Sequence, residues 1–173
     1  MKFGFLLLLV LSLTLFPSGT LARVTPNDLY QAKRADFESN LSKISDSSKK
    51  ETVRQADRIL GETNQRVCQR FDVEIAHLAA ILEEKKYRQG VSNTVVAYGR
   101  GNTALDSAAY YLNYAAEAVA YQKIQDYTPL IGQGNLKGSV NTSMLNLKSN
   151  LQTVQGKILK AKAEVGKAVE SEK

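Results

Sequence analysis

The chain of 173 residues carries one histidine, His77, and one cysteine, Cys68. A zinc site built from cysteine and histidine needs more ligands than these. A nucleophile–histidine–acid arrangement would require His77 to meet both partners on neighbouring segments, and nothing in the spacing supplies them. His77 stands in Ile75-Ala76-His77-Leu78, beside an apolar stripe, and reads as a surface or boundary residue. Cys68 lies in Val67-Cys68-Gln69-Arg70 and has no second cysteine for an internal disulfide. It reads as a partly buried, inert thiol, with an intermolecular bridge as the alternative. Paired carboxylates could do general acid–base work, but Glu83-Glu84 and Glu170 with Glu172 stand among lysines near helix ends. They read as solvated charge. Gly132, Gly134 and Gly138 follow no predicted strand, so a helix–helix loop fits them better than a phosphate cradle. The expectation is a non-enzymatic protein without catalytic residues, cofactor or bound metal.

Two groups of residues carry binding chemistry instead. Tyr111, Tyr114 and Tyr121, with Ala118 between the last two, form a stripe beside the apolar phase of an alanine-rich segment, and Tyr110 adjoins it. Rings with polar tips suit either a half-buried boundary layer or an exposed face for a protein partner or a glycan. Lys148, Lys157, Lys160 and Lys162, with Lys137, fall in a stretch from Tyr127 to Ala163 that has no Asp or Glu. They read as a solvated helix face, or as weak contacts to anionic envelope polymers or lipid head groups. The whole chain holds 23 Lys and Arg against 17 Asp and Glu, for a net charge of +6. That bias falls short of the basic stripe of a dedicated nucleic-acid binder, so no specific nucleic-acid partner is expected.

The elements that position these groups begin after a leader. Lys2 is a minimal positive n-region, Phe3 to Phe16 is apolar and leucine-rich, and Pro17-Ser18-Gly19 breaks that run. Thr20-Leu21-Ala22 then offers small residues at the cleavage-specifying positions, so residues 1–22 read as a secretory signal. Removing Lys2 with the leader leaves a net charge of +5. No later segment is apolar enough to cross a membrane. The expected product is exported: periplasmic, cell-surface or extracellular.

Residues 23–173 read as one helical domain. Pro26 suits the first position of a helix whose apolar residues are Tyr30, Phe37, Leu41 and Ile44, giving 26–47. Ser48 with Glu51 three residues on forms a capping box that opens a second helix over 49–89. Its predicted face is Val53, Ala56, Leu60, Val67, Phe71, Ile75, Leu78 and Leu82, and Gly90 is its stop. The third helix spans roughly 92–126, with Leu105, Ala108, Leu112, Ala115, Val119 and Gln122 in phase, a soft point at Gly99-Arg100-Gly101, and an end before Pro129. The fourth, 138–170, has the most regular pattern: Val140, Met144, Leu147, Leu151, Val154, Ile158, Ala161, Val165 and Ala168 at unbroken steps of four and three. Such a seam needs partners.

Long helices joined by short loops pack most simply as an elongated antiparallel bundle of three to four helices with coiled-coil-like packing, hence an all-α fold. The first helix either extends this bundle or folds back on it. Protein partners or self-association are expected to be its mode of action. Taken together, the leader, the run His77-Leu78-Ala79-Ala80-Ile81-Leu82, the alanine-rich helix closing at Tyr127 and the final Leu-Gln-Thr-Val pattern resemble signal-bearing helical secreted proteins of candidate-phylum bacteria. That resemblance implies no activity, ligand or site residue. In size, basicity and helical content the chain is also similar to periplasmic holdase chaperones, although the N-terminal strand of that group has no counterpart after Ala22.

Overall fold

A computed structural model describes residues 26–88, 104–131 and 135–171. Among the described residues there are four helices and no strand: α1 Pro26–Ser42, α2 Ser47–Arg88, α3 Ala104–Lys123 and α4 Leu136–Glu170. The fold is all-α. At ~1.5 Å per residue, the 42 residues of α2 make a rod of about 63 Å. The predicted leader, the Gly90 stop, the start of the third helix and the Gly99-Arg100-Gly101 insert lie outside the described residues.

Local side-chain chemistry moves several boundaries from their predicted places. α1 ends at Ser42, short of 47, where the amides of Lys43 and Ile44 reach back three residues to Asn40 and Leu41. The capping box at Ser48 is not formed. Asp46 is the cap, its Oδ1 accepting from the amides of Ser48 at 3.0 Å and Lys49 at 3.1 Å. A carboxylate at the positive end of a helix is a better acceptor than a serine hydroxyl, and those amide bonds hold the Asp46 carboxyl below its ordinary value. α3 stops at Lys123, not 126, because Asp126 accepts from both the amide and the hydroxyl of Thr128 and bends the chain ahead of Pro129. α4 starts two residues before its predicted first turn, capped by Asn135, whose Oδ1 accepts from the Gly138 amide at 2.8 Å. A Cβ at Gly138 would sit 2.5 Å from the Asn135 side-chain nitrogen, so a larger residue there would make the capping side chain shift.

α2 and α4 run parallel, with α3 antiparallel between them. At one end Lys85 Nζ donates to the Val169 carbonyl at 3.1 Å, pinning the last turns of α2 and α4 together. Asn64 of α2 meets Gln122 at the end of α3. The main core is built from Leu78, Leu82, Leu112, Val119, Val154, Ile158 and Val165, closed by alanines at 108, 115, 161 and 168. Alanine at the contact lets the helices approach closely, while each fully buried leucine or valine contributes about 1.5–3 kcal/mol.

The predicted phases hold unevenly. In α3, Ala108, Leu112, Ala115, Val119 and Gln122 are all buried, as expected. In α4 the seam is buried at Leu147 and from Val154 to Ala168, with Leu151 half-buried. Nearer the start Ser143 takes the buried seat, and Met144 is 51% exposed. The neighbour there is no longer α3 but the segment after it, and Ser143 turns toward the crevice along that segment. In α2 the fully buried residues at mid-helix are Asn64 and Cys68, while Val67, Phe71 and Ile75 are half-buried. The interior of α2 therefore carries a buried amide beside a core cysteine where an apolar stripe was expected.

α1 folds back on the bundle. Phe37 and Leu41 pack with Val53 at the start of α2, joined by Ile44, Ile131 and Leu136. Arg34 adds an ion pair to Asp57 of α2 and reaches to 3.6 Å from Asp126.

Candidate interaction face

α3 presents two faces. One carries the buried phase just described. The other is a second stripe, Tyr110, Tyr114, Glu117, Tyr121 and Ile124, at steps of four, three, four and three, all exposed. Tyr121 is 67% and Ile124 71% exposed. Spacing pointed to Tyr111, Tyr114 and Tyr121 as one stripe with Tyr110 beside it, since residues three or four apart share a helix face; the exposed line runs through Tyr110 instead. Ile124, just past the helix, continues that spacing and was missed although the expected helix, drawn to 126, included it. Glu117 was missed because a single acid gives no signal of its own. Its carboxylate has no partner among the described residues.

The rings are ordered by one another and by lysines of α4. Tyr110 meets Tyr111 edge-on, with centroids 5.2 Å apart, and lies parallel to Tyr114 at 6.4 Å. Lys157 Nζ sits 4.2 Å from the centre of the Tyr114 ring, and Lys160 Nζ 5.0 Å from that of Tyr111. Such cation–ring contacts are each worth about 0.5–1 kcal/mol at exposed sites. Tyr111 is half-buried against the core, so it belongs to the boundary layer and not to the exposed stripe.

The four candidate lysines do not form one patch. Nine residues separate Lys148 from Lys157, and at about 100° per residue that places them on opposite sides of α4. Lys157 and Lys160 flank α3, and Lys160 also pairs with Glu164 at 2.8 Å. Glu164 receives Lys167 as well, and these two ammonium groups hold its carboxyl below its ordinary value. Lys148 and Lys162 are exposed and share the outer side of α4 with Leu145 and Leu159.

A shallow groove of about 480 Å³ runs between α3 and α4, bordered by Tyr114, Glu117, Tyr121, Gln125, Asn150 and Lys157. Behind it lies a buried amide layer. Gln122 Nε2 donates to Asn64 Oδ1 at 2.8 Å and to the Tyr127 hydroxyl at 2.7 Å. Asn64 returns a bond to the Gln122 carbonyl at 3.0 Å, and Asn150 donates to the same Tyr127 hydroxyl at 2.9 Å. Buried polar groups stay inexpensive only when partnered in this way. The layer positions α3 lengthwise against α2 and α4, and thereby sets where the outer stripe falls.

The residues weighed for catalysis come to rest apart. His77 is exposed, in a surface dip with Arg70, Glu74 and Gln155. Cys68 is 1% exposed; burial, followed by Asp72, pushes its thiol above the ordinary value, which keeps it protonated and unreactive. Glu83 pairs with Lys86 and Glu84 with Arg88, each about one turn along α2. Glu170 is exposed; Glu172, Gly132 and Gly134 lie outside the described residues. Among the described residues no group of three or more His, Cys, Asp or Glu is placed to hold a metal ion, and no helix is long and apolar enough to cross a membrane.

No protein-family model matches the chain, and no curated protein or solved structure matches it either.

Proposed function

We propose that this chain is an exported, non-enzymatic helical module that acts in the cell envelope or outside the cell by binding protein partners. The observation that carries the reading is the outer stripe of α3. Tyr110, Tyr114, Tyr121 and Ile124 form one continuous exposed face, on a helix whose opposite face already fills the core. Exposed aromatic stripes of this kind supply large contact area at low entropic cost and are enriched where proteins meet. The leader at residues 1–22 supports export.

The second reading, a holdase-like chaperone or a binder of anionic surfaces, has weaker support. A holdase would work through open apolar seams, yet Leu147, Val154, Ile158 and Val165 are buried within the bundle. A surface binder would gather its lysines, yet those of α4 are divided between two sides.

The test is affinity capture from native envelope extract with the full chain, washed at low and at high salt, in parallel with Tyr121→Ala. The expected result is a discrete protein that survives the high-salt wash and is lost from the variant, while the variant keeps its helicity. Capture that disappears with salt, or a broad smear of clients unchanged by Tyr121→Ala, would favour the second reading.

A further inference from the structure

One other helix face is left uncovered at regular spacing. On α4, Leu145, Lys148, Gln152, Gln155 and Leu159 recur at alternating steps of three and four, and all are exposed, Leu145 to 61% and Leu159 to 55%. They occupy the side of α4 turned away from its buried seam. Leucines at both ends of a polar centre match the outer stripe of α3 in layout, which is apolar or aromatic at its ends and carries Glu117 in the middle.

Glu117 decides what can cover the α3 stripe. Any pairing of this stripe with its own copy that keeps all five positions in contact, parallel or antiparallel, sets Glu117 against Glu117. Like charges opposed in a closing interface are strongly unfavourable. The α4 stripe offers the complement, because Lys148 is a cation without an ion pair among the described residues. Laid antiparallel, the two stripes bring Ile124 onto Leu145, Tyr121 onto Lys148, Glu117 onto Gln152, Tyr114 onto Gln155 and Tyr110 onto Leu159. Apolar residues then meet at both ends, and Lys148 lies over a tyrosine ring one turn from Glu117. The chain already uses this geometry internally, where α3 runs antiparallel to α4 and Lys157 covers Tyr114.

We infer that the outer stripe of α3 docks antiparallel on the outer stripe of α4 in a second copy of this chain. The inference rests on reading α3 as the interaction face, and it names the partner. Because the two surfaces differ, each docked pair keeps one free stripe of each kind. Assembly therefore proceeds past a dimer, into a ring or an open chain. A single helix pair covers less than a standard interface, so each contact is weak and depends on concentration.

Sedimentation equilibrium of the full chain from about 10 μM to about 1 mM tests this. The mass should rise beyond that of two chains. Glu117→Lys and Lys148→Glu should each weaken association about tenfold, a change of ~1.4 kcal/mol, and the two together on one chain should restore it. Mixed Tyr121→Cys and Lys148→Cys chains should form a disulfide-linked pair faster than Tyr121→Cys mixed with Val73→Cys, since buried Cys68 does not compete. A single-chain mass throughout, a plateau at two chains, or association indifferent to Lys148→Glu, as contact through the apolar leader would be, overturns the inference. A monomeric chain that still captures a discrete protein through Tyr121 would sink this inference and leave the functional reading standing. Self-assembly through both stripes without capture of any other protein would do the reverse.

Discussion

At the end of the bundle where Lys85 meets Val169, α2, α3 and α4 are joined by Leu78, Leu82, Leu112, Ile158 and Val165, with alanines at the closest approaches. At the other end Asn64, Gln122 and Tyr127 share one hydrogen-bonded layer, and Arg34 ties α1 to Asp57 beside Asp126. The apolar end gains its stability from area removed from water, a term that is indifferent to small changes of partner. The amide end gains little net energy but tolerates only one alignment, because a shifted Gln122 would leave Asn64 buried without its partner. Two crevices, of about 460 and 840 Å³, both lie at the amide end against α1, and both are bordered by Asp126. Polar pairs hold position there without filling space.

This contrast can be broken most forcefully at the apolar end. Ile158→Ala should lower unfolding stability by about 2–4 kcal/mol, read as a shifted urea midpoint, because a cavity opens in a site with no room to collapse. At the amide end Gln122→Ala should cost about 1–3 kcal/mol, most of it from taking the amide donor away from buried Asn64 Oδ1, and Asn64→Leu with Gln122→Leu should recover much of that loss. If the double variant is as unstable as Gln122→Ala, the layer contributes stability and not only alignment. Smallest in global terms is Arg34→Ala. A guanidinium about one-third exposed should contribute under ~1 kcal/mol. Amide exchange should nevertheless quicken across residues 28–42 while α2 to α4 keep their protection.

The apolar end was the more legible of the two in the sequence. Steps of three and four report which side of a helix is apolar, so the α3 phase and the later α4 seam were readable directly. They do not report where the neighbouring helix ends. That is why Met144 was assigned to the core and Ser143, which faces the chain beyond α3, was not. At mid-α2 the half-buried Val67, Phe71 and Ile75 drew attention from Asn64, since an asparagine does not signal a core position by itself. Caps depended on which of several adjacent acceptors reached the amides first, and Asp46 outcompeted Ser48. The division of the lysines was available from spacing alone: nine residues apart means opposite sides. Their shared lack of acidic neighbours concealed it.

The clasp between Lys85 and the Val169 carbonyl has a mechanical consequence. At the far end of the same two helices Val53 and Leu136 are held in one cluster. Between those fixings α2 and α4 climb through almost the same number of residues, about 50 Å each at ~1.5 Å per residue. They form a strut fastened at both ends, whose two members must match in length. Removing one residue from either member would turn everything beyond it by about 100° and shorten it against its twin. The molecule has a fixed gauge, set by the count of residues between the fastenings.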